Sequence, residues 1–204
     1  MTDVKRNRFS TNRLFTLAML LIAGSVFSSA VSAAGKASPL PADSLYQLNL
    51  PLTDQDGRTA DWGMRRGKPQ LVAMFYTSCK FICPLIVDSG KAIERQLDEK
   101  QQKKLGILLI SMDPKRDNPK ALKTIVDMRK LDTTRWTLAS PRQDDVRTVA
   151  GLLGIRYRLL ADGEFNHSSA LVLLDANGRV LARTEKMGSQ PDPEFLAVVK
   201  KALR

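Results

Sequence analysis

The chemistry this chain can offer is concentrated in three side chains. Cys79 and Cys83 are its two cysteines, and His167 is its single histidine. The cysteines lie in Tyr76-Thr77-Ser78-Cys79-Lys80-Phe81-Ile82-Cys83-Pro84, directly after the nearly continuous apolar run Gln70 to Tyr76. Such a run reads as a strand buried on both faces. The pair therefore belongs at the carboxyl edge of a strand and the start of a helix, where open α/β sheets build their sites. A helix N-terminus favours thiolate over thiol, and Lys80 acts in the same direction. A spacing of four residues brings both sulfurs to one face of a helical segment. Two convergent sulfurs suit a disulfide or a soft metal. The plainer reading is a structural bridge in an oxidising compartment, although it would close only a very short loop.

His167 follows the loop Ala161 to Asn166 and precedes the apolar run Ser168 to Asp175. A lone histidine usually lies on a surface loop without a task. Here its loop can project at the same sheet edge as the cysteines and complete a set of two sulfurs and one nitrogen. Thiolates select Cu(I), and imidazole also supports Cu(II). Zinc would keep an open position on three ligands, and no hydrolytic base is evident nearby. Asp113 ends the second buried run, Leu105 to Met112, at the same edge. It either caps the turn at Pro114, with Arg116 and Asp117 shaping the loop, or stands as a carboxylate behind the metal ligands. Met74, Met112 and Met187 read as core filler.

The elements that must position these groups follow from patterning. Leu45 to Leu52 alternates, and with the turn Asp54-Gln55-Asp56-Gly57 it predicts a β-hairpin leading to Trp62. Pro84 to Lys104 carries an apolar stripe and predicts one amphipathic helix. Asn118-Pro119 opens a second helix, with proline at its favoured first position. Trp136 to Leu138 is a strand, and Gln143 to Leu153 a helix stopped by Gly154. Ser168 to Asp175 and Arg179 to Arg183 form a hairpin about Ala176-Asn177-Gly178, and Pro193 to Leu203 is the last helix. Strands alternating with helices predict an α/β fold with a central mixed sheet flanked by helices.

The 204 residues include 32 basic and 21 acidic ones, for a net charge of +11. Lys5, Arg6, Arg8 and Arg13 flank the uncharged run Leu14 to Phe27, and small residues follow through Ala34. This is the pattern of a secretory signal peptide over 1–34, with processing expected after Ala33. The competing reading is an uncleaved membrane anchor, which needs about 20 apolar residues. Residues 35–44 are small, polar and proline-containing, a linker, and 45–204 form the folded domain. Without residues 1–34, which carry four basic residues and Asp3, the balance falls from +11 to +8. The basic residues are scattered in runs no longer than a pair, so nucleic acid is not an expected partner. Two cysteines are too few for a disulfide-stapled scaffold.

Three stretches together carry a resemblance. Phe75-Tyr76-Thr77-x-Cys79-x-x-x-Cys83-Pro84 resembles the copper-binding motif of the SCO/SenC family of cytochrome oxidase assembly proteins. Ser111-x-Asp113-Pro114-x-Arg116-Asp117-Asn118-Pro119 is similar to that family's second signature, with Asn118 in place of Thr. Asn166-His167-Ser168, followed by a strand and a turn at Gly178, resembles its third, with Asn166 in place of Asp. The resemblance runs from about Leu45 to Arg204. It implies a thioredoxin-like fold with an added N-terminal β-hairpin, and copper held by Cys79, Cys83 and His167. It also implies an orienting role for the residue before the histidine, which Asn fills less strongly than Asp. The implied partners are a respiratory copper-protein client such as an oxidase subunit, and a periplasmic copper donor or thiol reductant. The implied location is the periplasm, soluble or tethered to the inner membrane by the N-terminal segment. Two other functions compete: a metal-independent thiol–disulfide oxidoreductase or redox sensor, and an exported binding domain with a structural bridge. The first would not need His167, and its Cys-x-x-x-Cys spacing departs from the Cys-x-x-Cys of thioredoxin-type reductants.

Overall fold

In the computed structural model of the chain the described residues are 38–79 and 82–204, the side chain of Ile82 excepted. The signal segment 1–34, residues 35–37 of the linker, and Lys80 with its expected effect on the thiols lie outside them. The first two buried runs form the centre. β3 (Gln70–Phe75) and β4 (Gly106–Ser111) are buried at every position, as strands covered on both faces must be. They pair in parallel, Leu71 opposite Ile107 and Phe75 opposite Ser111. β5 (Trp136–Pro141) extends the parallel set beside β4. β8 (Leu171–Leu174) runs antiparallel on the other side of β3, and β9 (Val180–Thr184) antiparallel to β8. β1 (Pro51–Asp54) and β2 (Thr59–Asp61) form the added N-terminal hairpin, antiparallel to β5. The seven-stranded order is β2-β1-β5-β4-β3-β8-β9. Helices follow β3, β4 and β5, and the whole is the thioredoxin-like arrangement expected from the sequence.

Several local expectations are corrected. Leu45–Gln47 is a 3₁₀ turn, not the start of a strand, because the Ser44 hydroxyl accepts from the Tyr46 amide; the hairpin begins only at Pro51. The single helix expected over Pro84 to Lys104 is two, α1 (Ile82–Arg95) and α2 (Glu99–Lys104). Asp98 and Gln101 form a reciprocal capping box that starts α2, while Gln102 Nε2 donates to the carbonyls of Glu94 and Leu97 where α1 ends. Two caps satisfy the backbone groups that a continuous helix would have paired internally. α3 (Pro119–Arg129) starts as expected, with Asn118 accepting from Ala121 N. A 3₁₀ turn precedes α4 (Val146–Leu152), and α5 (Pro193–Ala202) closes the chain.

The largest difference lies before β8. Strand structure there covers only Leu171–Leu174, not Ser168 to Asp175. His167 is not on a loop but ends β7 (Phe165–His167), which pairs antiparallel with β6 (Tyr157–Leu159) in a separate two-stranded hairpin. Glycine is required in its turn, where Gly163 takes φ +81°.

α1 is seated on the sheet through a close approach. A Cβ at Gly90 would stand 2.5 Å from the Trp136 ring. Trp136 is buried and donates to Glu94 Oε2 at 2.8 Å, and Glu94 also holds Arg135. The helix that carries Cys83 is thereby fixed on β5 as well as β3.

Candidate metal centre

Cys79 follows β3 in the connecting loop, and Cys83 lies in the first turn of α1. Both are buried, and no disulfide joins them. The Tyr76 amide donates to Cys83 Sγ at 3.3 Å. The Cys79 thiol is in hydrogen-bond contact with the Tyr76 hydroxyl and with Cys83. Burial pushes the Cys83 thiol far above its usual range, outweighing the Tyr76 amide, and the proximity of Cys79 adds to the effect. This corrects the expectation of a depressed thiol at the helix start: desolvation of a thiolate beneath the surface outweighs the helix end. Metal binding at Cys83 must therefore displace a proton.

His167 arrives from the hairpin. Its Nδ1 lies 3.0 Å from the Ser168 carbonyl oxygen. A carbonyl only accepts, so Nδ1 carries the proton and Nε2 keeps its lone pair. Among the described residues, Nε2 is buried with no hydrogen-bond partner. Burial also lowers the imidazole pKa, against the weaker pull of Ser168, so the ring is neutral at pH 7 as a metal ligand must be. One donor atom from each of Cys79, Cys83 and His167 lies within 4.8 Å of the others. Two sulfurs and an imidazole nitrogen gathered this closely fit a soft cation. The structure thus brings together the three residues singled out from sequence.

Two polar networks hold these pieces in register. Asp117 is fully buried. It accepts from the Thr77 amide at 3.1 and 3.2 Å, from Thr77 Oγ1, and from Ser111 Oγ at 2.6 Å. It ties the cysteine loop to the end of β4. Asp113 pairs with Arg116, and Arg116 donates to the Gly163 carbonyl in the hairpin turn. Asp113 N also donates to Ser111 Oγ, so Asp113 shapes the turn after β4. The second network centres on Tyr76. Its hydroxyl donates to Glu164 Oε2 at 2.9 Å, and its ring meets Phe165 and His167 edge-on at 5.2 and 5.8 Å.

Asn166 is exposed opposite Arg158 across the hairpin. Its neighbour's Nδ1 is held by Ser168 rather than by Asn166. Glu164 is a site-building residue that the sequence reading passed over; Tyr76 stood there only as a motif residue, and Asp117 as a motif residue and a shaper of the loop after Pro114. A signal for the turn did exist: Asp162-Gly163 is a hairpin turn pair.

Known proteins resemble this chain in sequence and in fold. A family model described as SCO1/SenC matches residues 42–204. The chain is 24% identical over 152 residues to the SCO1 protein homolog of Bacillus subtilis (strain 168), covering 73% of this chain and 78% of that one. It is 29% identical over 138 residues to a SCO2-like protein of Rickettsia prowazekii (strain Madrid E), spanning 64% of each. Among solved structures, copper-bound ScoI of Bradyrhizobium japonicum superposes with a TM-score of 0.60 at 24% identity, covering 75% of this chain and 96% of that one. At that identity the structural likeness is one of fold.

Proposed function

The chain belongs to the SCO1/SenC family, and on that premise we propose that it is an exported copper chaperone that loads a respiratory copper centre, cytochrome c oxidase being the expected client. Copper is its cargo, held by Cys79, Cys83 and His167. The observation that supports this reading most is the gathering of one donor atom each from Cys79, Cys83 and His167 within 4.8 Å of one another, with His167 Nε2 buried and without a hydrogen-bond partner among the described residues. A structural disulfide would have no use for that nitrogen. Two thiolates and an imidazole favour Cu(I) and support Cu(II). The N-terminal segment delivers the domain across the inner membrane, as a removed signal or a retained tether. Among the described residues no helix is long and apolar enough to cross a membrane. Titration of the reduced protein with Cu(I) against a competing chelator tests the reading. One ion per chain is expected, with affinity weakened in His167→Ala. With Cu(II), an intense sulfur-to-copper band is expected and is lost in Cys79→Ser or Cys83→Ser. Unchanged affinity in His167→Ala refutes the ligand assignment.

That last result would favour the second reading, a metal-independent thiol–disulfide oxidoreductase. It draws on the two adjacent thiols. In that reaction Cys79 and Cys83 lose two protons and two electrons to form a disulfide, and a client disulfide is reduced to two thiols.

A further inference from the structure

Exposed cations without carboxylate partners gather on α4 and at the first strand of the adjoining β6–β7 hairpin. Arg147, Arg156 and Arg158 are exposed, and none has a carboxylate partner among the described residues. Elsewhere Arg116, Arg129, Arg135, Arg142 and Arg183 are each held by an acidic side chain. The hairpin's own carboxylates are committed: Asp162 accepts from the Glu164 amide, and Glu164 accepts from Tyr76. Arg156, Tyr157 and Arg158 line two open hollows. One, of about 440 Å³, is completed by Asn166, His167 and Ser168. The other, of about 520 Å³, extends to Arg147 and to Leu159, an apolar side chain left 59% exposed. Arginine is enriched at protein interfaces and at their binding hot spots, so a group of arginines left without carboxylates marks a candidate docking surface.

We propose that this face docks a protein partner whose own copper site is rimmed by carboxylates, bringing that site against the hairpin that carries His167. The inference rests on the chaperone reading and names the surface through which it acts. In the transfer, bonds from copper to Cys79, Cys83 and His167 break and bonds to two acceptor sulfurs form. No electron moves. The two acceptor thiols release their protons, and Cys79 and Cys83 take up two from solvent. Complementary charge speeds the encounter and fixes its orientation more than it deepens the affinity.

The experiment mixes the Cu(I)-loaded protein with either of two synthetic peptides sharing one Cys-x-x-x-Cys acceptor, one flanked by glutamates and one by lysines. At low salt the glutamate peptide should remove copper about ten times faster. That advantage should collapse at about 0.5 M salt. It should vanish in Arg156→Gln/Arg158→Gln and reverse in Arg156→Glu/Arg158→Glu. Arg95→Glu, an exposed and unpaired position on α1, should change nothing. Equal rates for the two peptides, or a preference indifferent to both arginine pairs, overturns the proposal. So does binding of phosphatidylglycerol vesicles through these arginines with no peptide preference. If the protein takes up no copper, the chaperone reading fails separately. Calorimetric titration of the metal-free protein with the glutamate peptide then decides the docking: binding lost in Arg156→Glu/Arg158→Glu supports it, and no binding refutes it.

Discussion

Replacing Asp117 with alanine removes the anchor beneath the cysteine loop. Three donors lose their acceptor: the Thr77 amide, the Thr77 hydroxyl and the Ser111 hydroxyl. Hydrogen bonds to a charged group are worth about 1.5–3 kcal/mol each, and a buried donor left unmade costs about 1–3 kcal/mol. The losses are not simply cumulative. Thr77 is only half-buried, so its donors can turn to water, whereas Ser111 is fully buried. The variant also escapes desolvating a carboxylate, and that burial already drives the Asp117 pKa upward. Ser111 and the loosened loop then decide the balance, at about 2–3 kcal/mol of lost stability. With a urea slope of about 2 kcal/mol/M, the midpoint should fall by about 1–1.5 M. Thr77→Val tests the cause, because it deletes one hydroxyl and keeps the amide. In a double-mutant cycle the two substitutions should couple by about 1 kcal/mol. Cu(I) affinity should fall in step, since Thr77 lies two residues before Cys79. A midpoint shift under about 0.3 M, or strict additivity, would show that Asp117 does not anchor this loop.

Gly90→Ala should destabilise the protein by about 1–2 kcal/mol, although alanine is the better helix former by about 1 kcal/mol; the new Cβ meets Trp136, and a raised melting temperature would refute the packing argument. Asp132 is held below the usual carboxylate range, first by the Thr134 hydroxyl and amide and then by Arg135. A depressed folded-state pKa gives stability that is present above the unfolded value of about 3.9 and is lost as pH falls through the folded value. The advantage of the parent over Asp132→Asn in urea midpoint should therefore be full at neutral pH and shrink below about pH 4; a constant difference contradicts it. Finally, a Cys79–Cys83 disulfide has no thiolate to offer, so the oxidised protein should take up no copper until a separate reductant acts. Equal anaerobic uptake by oxidised and reduced samples, with the bridge verified by mass, means that copper sits elsewhere.

Much of this site was legible because the chain has so few candidates. Two cysteines and one histidine, each at the edge of an apolar run, leave little choice of donor. The buried strands were equally plain, since Gln70–Phe75 and Gly106–Ser111 are hydrophobic almost throughout. What escaped was short or cooperative. β6 and β7 have three residues each, too few for alternation to stand out from loop sequence. The break at Asp98 interrupts an otherwise polar, helix-forming stretch; its one mark in sequence is the Asp98-x-x-Gln101 capping-box pattern, which the reciprocal bonds bear out. Asp117 reads as one loop residue among several until folding places Thr77, 40 positions earlier, over its carboxylate. The thiol expectation failed for a related reason: a helix end is visible in sequence, but the depth at which it lies is not.

The three candidate donors do not share one mechanical fate. Cys79 and Cys83 hang from β3, a strand buried at every position, and from a helix wedged on Trp136. His167 rides on a ribbon of two short strands, outside the main sheet. Such a ribbon is marginal alone in water, so its position depends on what it leans against: Tyr76, Arg116 and the Arg156 amide bonded to Ser168 Oγ. Few backbone bonds need open for the ribbon to swing away, while the sulfurs would stay where they are. Amide exchange should therefore be fast along β6–β7 and slow along β3. A cargo gripped at three points would then have one that yields first, and the molecule could loosen its hold without unfolding any of the sheet beneath it.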